Sequence, residues 1–154
     1  MMSMIARRLI LAFPALALAS TCAFAGTIPA AKDAFLYVIW PHNGQQIQGP
    51  FRCRFGLRNM GVAPAGVRVP NTGHHHLFID VSEPLDPSLP IKQDKNHLHF
   101  GVGQTEALID LPPGRHKLQL VLGDADHVPF DPPLMSRPIY ITVLRPPAAA
   151  AKSP

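Results

Sequence analysis

A chain of 154 residues has room for one packed core and not two. Hydrophobic residues make up 47%, charged residues only 16%, and prolines number 18, which excludes a coiled coil, an all-helical bundle and a charge-driven disordered polymer. Arg7 and Arg8 fall in an acid-free stretch of 25 residues, so without it 14 − 2 = 12 bases face 10 acids, a balance of +2 that is no nucleic-acid footprint.

Met1 to Arg8 is basic, Leu9 to Ala19 is a short apolar run, and Ala23-Phe24-Ala25 is a small-x-small cleavage site. This order is that of a secretory signal peptide over 1–25, with Gly26 the first mature residue. No segment has the ~20 consecutive apolar residues of a membrane span. The expectation is a periplasmic or secreted protein, not an integral membrane protein, that keeps Cys53 and loses Cys22. Cleavage before Ser20 would instead retain both cysteines.

Residues 26–33 read as a leader and 145–154 as a disordered Pro/Ala tail, which leaves a folded unit over 34–144. Phe35 to Trp40 is an apolar run closed by a turn at Pro41 to Gly44. Phe51, Cys53, Phe55 and Leu57 alternate with Arg52, Arg54 and Arg58, the period of a strand with one wet face. The arginines read as that solvated face, and Cys53 as a small buried hydrophobe. His75, Leu77, Ile79 and Val81 share one strand parity; His74, His76, Phe78 and Asp80 share the other. His97 to Phe100, Ala107 to Leu111, His116 to Leu122 and Ile139 to Val143 complete about seven short strands. No stretch has an amphipathic helical period, so the fold class is all-β, an immunoglobulin-like antiparallel sandwich. Met60 to Gly73 and Val81 to Asn96 are too long for hairpin loops, and long ordered loops on a small sandwich tend to carry function. Gly56, Gly61, Gly66 and Gly73 around Pro64 and Pro70 suggest a rigid loop with positive-φ positions.

The unusual residue is histidine, eight in all. In a strand, residues i and i+2 lie on one side about 6.5 Å apart, so two imidazoles so placed can converge on one ion at about 2.0–2.1 Å. The arrangement occurs as His97-x-His99 and as His74-x-His76, and His127 follows Asp124 and Asp126 in a loop after an apolar strand. His97 and His99 are the leading ligand candidates, then His74 or His76, with His127 closing the site and Asp124 or Asp126 as acceptors that orient an imidazole. Imidazoles without thiolates favour Cu(II) first and Zn(II) next. With Met60 and Met135 the only methionines after residue 25, a Met-rich Cu(I) site is disfavoured, and Cys53 has no histidine within ten residues to build a blue-copper centre. His75 and His116 lie on apolar parities and read as structural, and His42 as a surface residue.

Enzyme chemistry is the weaker reading. There is no Gly-x-Ser-x-Gly, no Gly-rich phosphate loop and hence no nucleotide cofactor, and no His-Glu-x-x-His. Glu106 is the one glutamate close enough in sequence to His99 to serve a zinc-bound water. The alternatives to metal buffering or delivery in the cell envelope are therefore two: a metal-free module whose rigid loops or open sheet edge bind an envelope protein or glycan, and a small metal-dependent enzyme.

Phe55-Gly56-Leu57-Arg58-Asn59-Met60-Gly61-Val62-Ala63-Pro64-Ala65-Gly66, Asn71-Thr72-Gly73-His74-His75-His76-Leu77, His97-Leu98-His99-Phe100-Gly101, Gly103-Gln104-Thr105-Glu106 and Leu122-Gly123-Asp124 through Pro132-Pro133 occur in that order. Together they make the chain resemble, over about 35–143, the bacterial family DUF4399, a domain of unknown function. The resemblance implies a small exported domain without an assigned activity. It also implies a second histidine in the last loop, where this chain has Phe130, so that position is no essential ligand here.

Overall fold

A computed structural model describes residues 28–146. The expected signal peptide, Cys22, the start of the leader and all but the first two residues of the Pro/Ala tail lie outside this range. Within it the chain is all-β, with nine strands: β1 Phe35–Trp40, β2 Gln46–Gln48, β3 Phe51–Arg58, β4 Gly61–Val62, β5 Thr72–Ile79, β6 His97–Phe100, β7 Glu106–Ile109, β8 Gly114–Gly123 and β9 Ile139–Leu144. The seven expected strands are present; β2 and β4, of three and two residues, are too short to show a period.

The strands form two sheets. One has three strands in the order β1-β3-β7, and the other runs β2-β9-β8-β5-β4 with β6 also paired to β5. Pairing is antiparallel except for β2 with β9 and β4 with β5, which are parallel. These two parallel additions depart from the purely antiparallel arrangement expected from the sequence.

Alternation explains the core. On β3, Phe51, Cys53 and Phe55 are buried while Arg52 and Arg54 are exposed. Their inward faces meet Leu77, Leu118, Leu120, Leu122, Ile141 and Val143 from the other sheet in the main hydrophobic cluster. Burial there pushes the Cys53 thiol up to about 12.

Strand β5 is buried on both faces, which governs everything that follows. His75, Leu77 and Ile79 face the core between the sheets, and the opposite parity presents His74, His76 and Phe78. The outer face is covered because the long 80–96 segment folds back over it, so that Val81 and Ile91 pack on Phe78 and Val121 in a second cluster. Hence one histidine pair lies in the protein interior, although on the outer side of its sheet.

Among the loop glycines, Gly66 has the expected positive φ, of 80°. Gly56, Gly61 and Gly73 do not, and their role is clearance. The Tyr37 ring lies across Gly56 where any Cβ would stand, and a Cβ on Gly73 would come within 2.5 Å of the Gly123 carbonyl oxygen.

Candidate metal centre

Directly opposite residues on antiparallel strands project to the same face with Cβ atoms about 4.5–5.5 Å apart. The β5–β6 register pairs His76 with His99 and Phe78 with His97. His76 and His99 therefore stand side by side, and His74 follows one step along β5. The fourth imidazole, His127, arrives from the 124–128 turn that leaves β8. Ring centroids lie 4.9 Å apart for His74 and His76, 5.0 Å for His74 and His99, 4.9 Å for His74 and His127, and 4.8 Å for His99 and His127. One nitrogen from each of His74, His99 and His127 lies within 4.8 Å of the other two. The group contains no carboxylate or thiolate.

The turn that delivers His127 is built by Asp124. Its carboxylate accepts hydrogen bonds from the backbone N–H groups of Asp126 and Val128, both at 2.8–2.9 Å. His127 takes a positive φ of 68°, and its carbonyl accepts a hydrogen bond from the Ile91 N–H at 2.8 Å. A strap from the 63–68 segment holds the far side: the Ala65 N–H donates to the Gly101 carbonyl, the Gly66 N–H to the Ala125 carbonyl, and the Arg68 guanidinium grips both oxygens of Asp126 at 2.6 and 2.8 Å. Asp124 and Asp126 thus hold the loop that carries an imidazole and do not hydrogen-bond a ring nitrogen of the cluster.

Two glycines make the space. A Cβ on Gly123 would sit 3.0 Å from His76 Nε2, and one on Gly101 would sit 2.5 Å from His99 Nε2. The local signs of this role are slight: Gly101 follows His99 by two residues, and Gly123 immediately precedes the acidic loop that carries His127.

The electrostatics suit ligation. His74 and His76 are fully buried, and burial, followed by repulsion from the neighbouring imidazoles, pushes them down to about 4 and about 2. His99 is lowered as well, by burial and then by His127. The lowered rings remain neutral at pH 7, the form that binds metal. His74 Nε2 and His76 Nε2 are 3.1 Å apart, one donating to the other, which makes the donor ring's Nδ1 a bare lone pair, while the other ring's Nδ1–H and His99 Nε2 are buried without a hydrogen-bond partner. Native interiors satisfy nearly all such atoms, so an orphaned group of this kind calls for a specific cause.

The other histidines do different work. His97 shares the outer face but lies one pair further along, with its edge on Phe78 at 4.7 Å and its Nδ1–H donating to Asp94 Oδ1 at 2.8 Å. It is not among the clustered four. His75 points the opposite way, against Phe55, with Nδ1 3.2 Å from the Gln104 carbonyl. With that nitrogen donating, its orphaned Nε2 is a lone pair and not an unmade N–H. His116 donates from both nitrogens, to Asp80 Oδ2 and to the Pro112 carbonyl, each at 2.8 Å. Glu106 is bound to Arg52 at 2.7 Å on the three-stranded sheet, where it cannot act as a base for the cluster.

Fold and site define a class: an all-β domain with histidines from two strands and one loop gathered over the outer face of a sheet. Residues 53–144, well over half of the chain, match the family described as Domain of unknown function (DUF4399), and the chain belongs to that family. No curated protein matches it. No solved structure does either.

Proposed function

We propose that this is an exported domain that binds one transition-metal ion through His74, His99 and His127, and that it buffers or delivers the ion in the cell envelope. One observation carries the reading: three imidazoles from β5, β6 and the 124–128 turn, far apart in sequence, bring nitrogens within 4.8 Å of one another. Chance packing of surface histidines gives neither the full burial of His74 nor the glycine at 101 that clears room for the His99 ring. Export rests on the residue pattern of 1–25, and the immunoglobulin-like assignment on the two packed sheets.

The test is a calorimetric titration of the chelator-stripped protein with Zn(II) and Cu(II) against a competing chelator. The expected result is one tightly bound equivalent, lost in a His99→Ala/His127→Ala variant whose circular dichroism is unchanged. Binding no tighter than exposed histidines provide would sink the proposal and favour a metal-free module that contacts an envelope protein.

A further inference from the structure

Three of the clustered histidines suffice to bind an ion, and we infer that His76 is the fourth ligand, giving a tetrahedral all-imidazole centre whose coordination the protein completes alone. The inference rests on the metal-binding reading above and adds the coordination number and, through it, the class of ion.

Ring separations carry the argument. Four imidazoles around one ion at about 2.0–2.1 Å, each aligned with its metal–nitrogen bond, place their centroids about 5.2 Å apart in a tetrahedron. The six separations among His74, His76, His99 and His127 are 4.9, 5.0, 4.9, 5.0, 6.1 and 4.8 Å. A square-planar set has four equal edges and two diagonals longer by a factor of about 1.4. Here only the separation between His76 and His127 is long, so the four rings enclose a volume and do not lie round a plane. His127 is already close to the other two strand histidines, His74 and His99, so the one gap to be closed lies between His76 and His127. His74 Nε2 and His76 Nε2 stand 3.1 Å apart as a ring-to-ring hydrogen bond, near the nitrogen separation of about 3.4 Å for two ligands of one tetrahedral ion, so His76 joins the converging nitrogens of His74, His99 and His127 when that hydrogen bond is exchanged for the ion.

A complete tetrahedral shell has two chemical consequences. It leaves no position for a metal-bound water or a substrate, so the centre holds its ion and does not activate it. It also suits ions without a demand for a flattened geometry, Zn(II) or Cu(I), and penalises Cu(II), which prefers a tetragonal one. The sequence-level ranking of Cu(II) above Zn(II) follows from intrinsic affinity; the enclosed geometry works against it.

Zn K-edge X-ray absorption on the full-length, zinc-loaded wild-type protein and on His76→Phe separates the possibilities, with the visible spectrum of the Co(II)-loaded wild type as a measurement that needs no variant. Four imidazoles and an intense tetrahedral Co(II) band in the wild type, falling to three imidazoles and one oxygen in His76→Phe, are the expected results. One bound zinc with three imidazoles and an oxygen in the wild type, and a weak Co(II) band, would overturn the fourth ligand while leaving metal binding intact. Failure to bind one equivalent of either ion would overturn both readings.

Discussion

The imidazole of His99 lies so close to the backbone of Gly101 that a Cβ at Gly101 would stand 2.5 Å from Nε2. The ring occupies the space a side chain would need. Gly101→Ala therefore forces His99 off the cluster, and zinc affinity should fall at least tenfold, about 1.4 kcal/mol. Titration with a competing chelator measures this. An unchanged affinity in a folded Gly101→Ala protein would show that His99 can move without loss and is not a ligand.

Acid should unfold the metal-free protein early. His74 and His75 are lowered to about 4, His76 to about 2, in each case first by burial. Below the unfolded-state value of about 6.5 the unfolded chain takes up protons that the folded chain refuses, so stability drops as the pH falls from 6.5 towards 4. Each such proton contributes up to about 1.4 kcal/mol per pH unit. Denaturant midpoints measured from pH 7.5 to 4.5 should fall across this window, and saturating zinc should raise the midpoint at pH 7.5 by mass action. A flat profile without metal would contradict the buried, neutral state of these rings.

His116 should act in the opposite sense. Burial works to lower it, but the Asp80 hydrogen bond, the Pro112 carbonyl and the Asp80 charge outweigh that and raise it. A raised histidine stabilises fully below its unfolded value and loses that contribution as the pH rises through its folded one. His116→Gln should then lower the melting temperature more at pH 5.5 than at pH 8.5. Asp80 is partly exposed, so the effect is about 1 kcal/mol or less and shrinks in high salt. An equal loss at both pH values would mean that the ring acts through packing alone.

Cys53 should be chemically silent. It has no exposed surface in the main core and its thiol is pushed up to about 12, so little thiolate exists at pH 8 and none is accessible. A thiol reagent should titrate this residue only after unfolding, at the rate of global opening. Rapid labelling of the native protein would place Cys53 outside the core.

Much of the fold was legible because strand patterning is local. The alternation Phe51, Cys53, Phe55 against Arg52 and Arg54 identifies β3 from neighbouring residues alone, and the same period separates His74 and His76 from His75 on β5. That parity holds in the structure, as does the single side shared by His97 and His99. Parity cannot say which of those two meets His76, because both satisfy it. Register chooses His99, and register depends on pairing between strands separated by the whole 80–96 segment. A slip of two residues would preserve every buried face and exchange His97 for His99. The approach of His127 was likewise beyond local patterning, since it depends on the Asp124 turn, the Ile91 hydrogen bond and the strap at Gly66 and Arg68. The sequence by itself determined the all-β class, the positions of the seven principal strands and which histidines face which way, through side-chain period and turn chemistry. Only tertiary structure decided which four imidazoles meet, because their meeting is set by long-range pairing and loop docking.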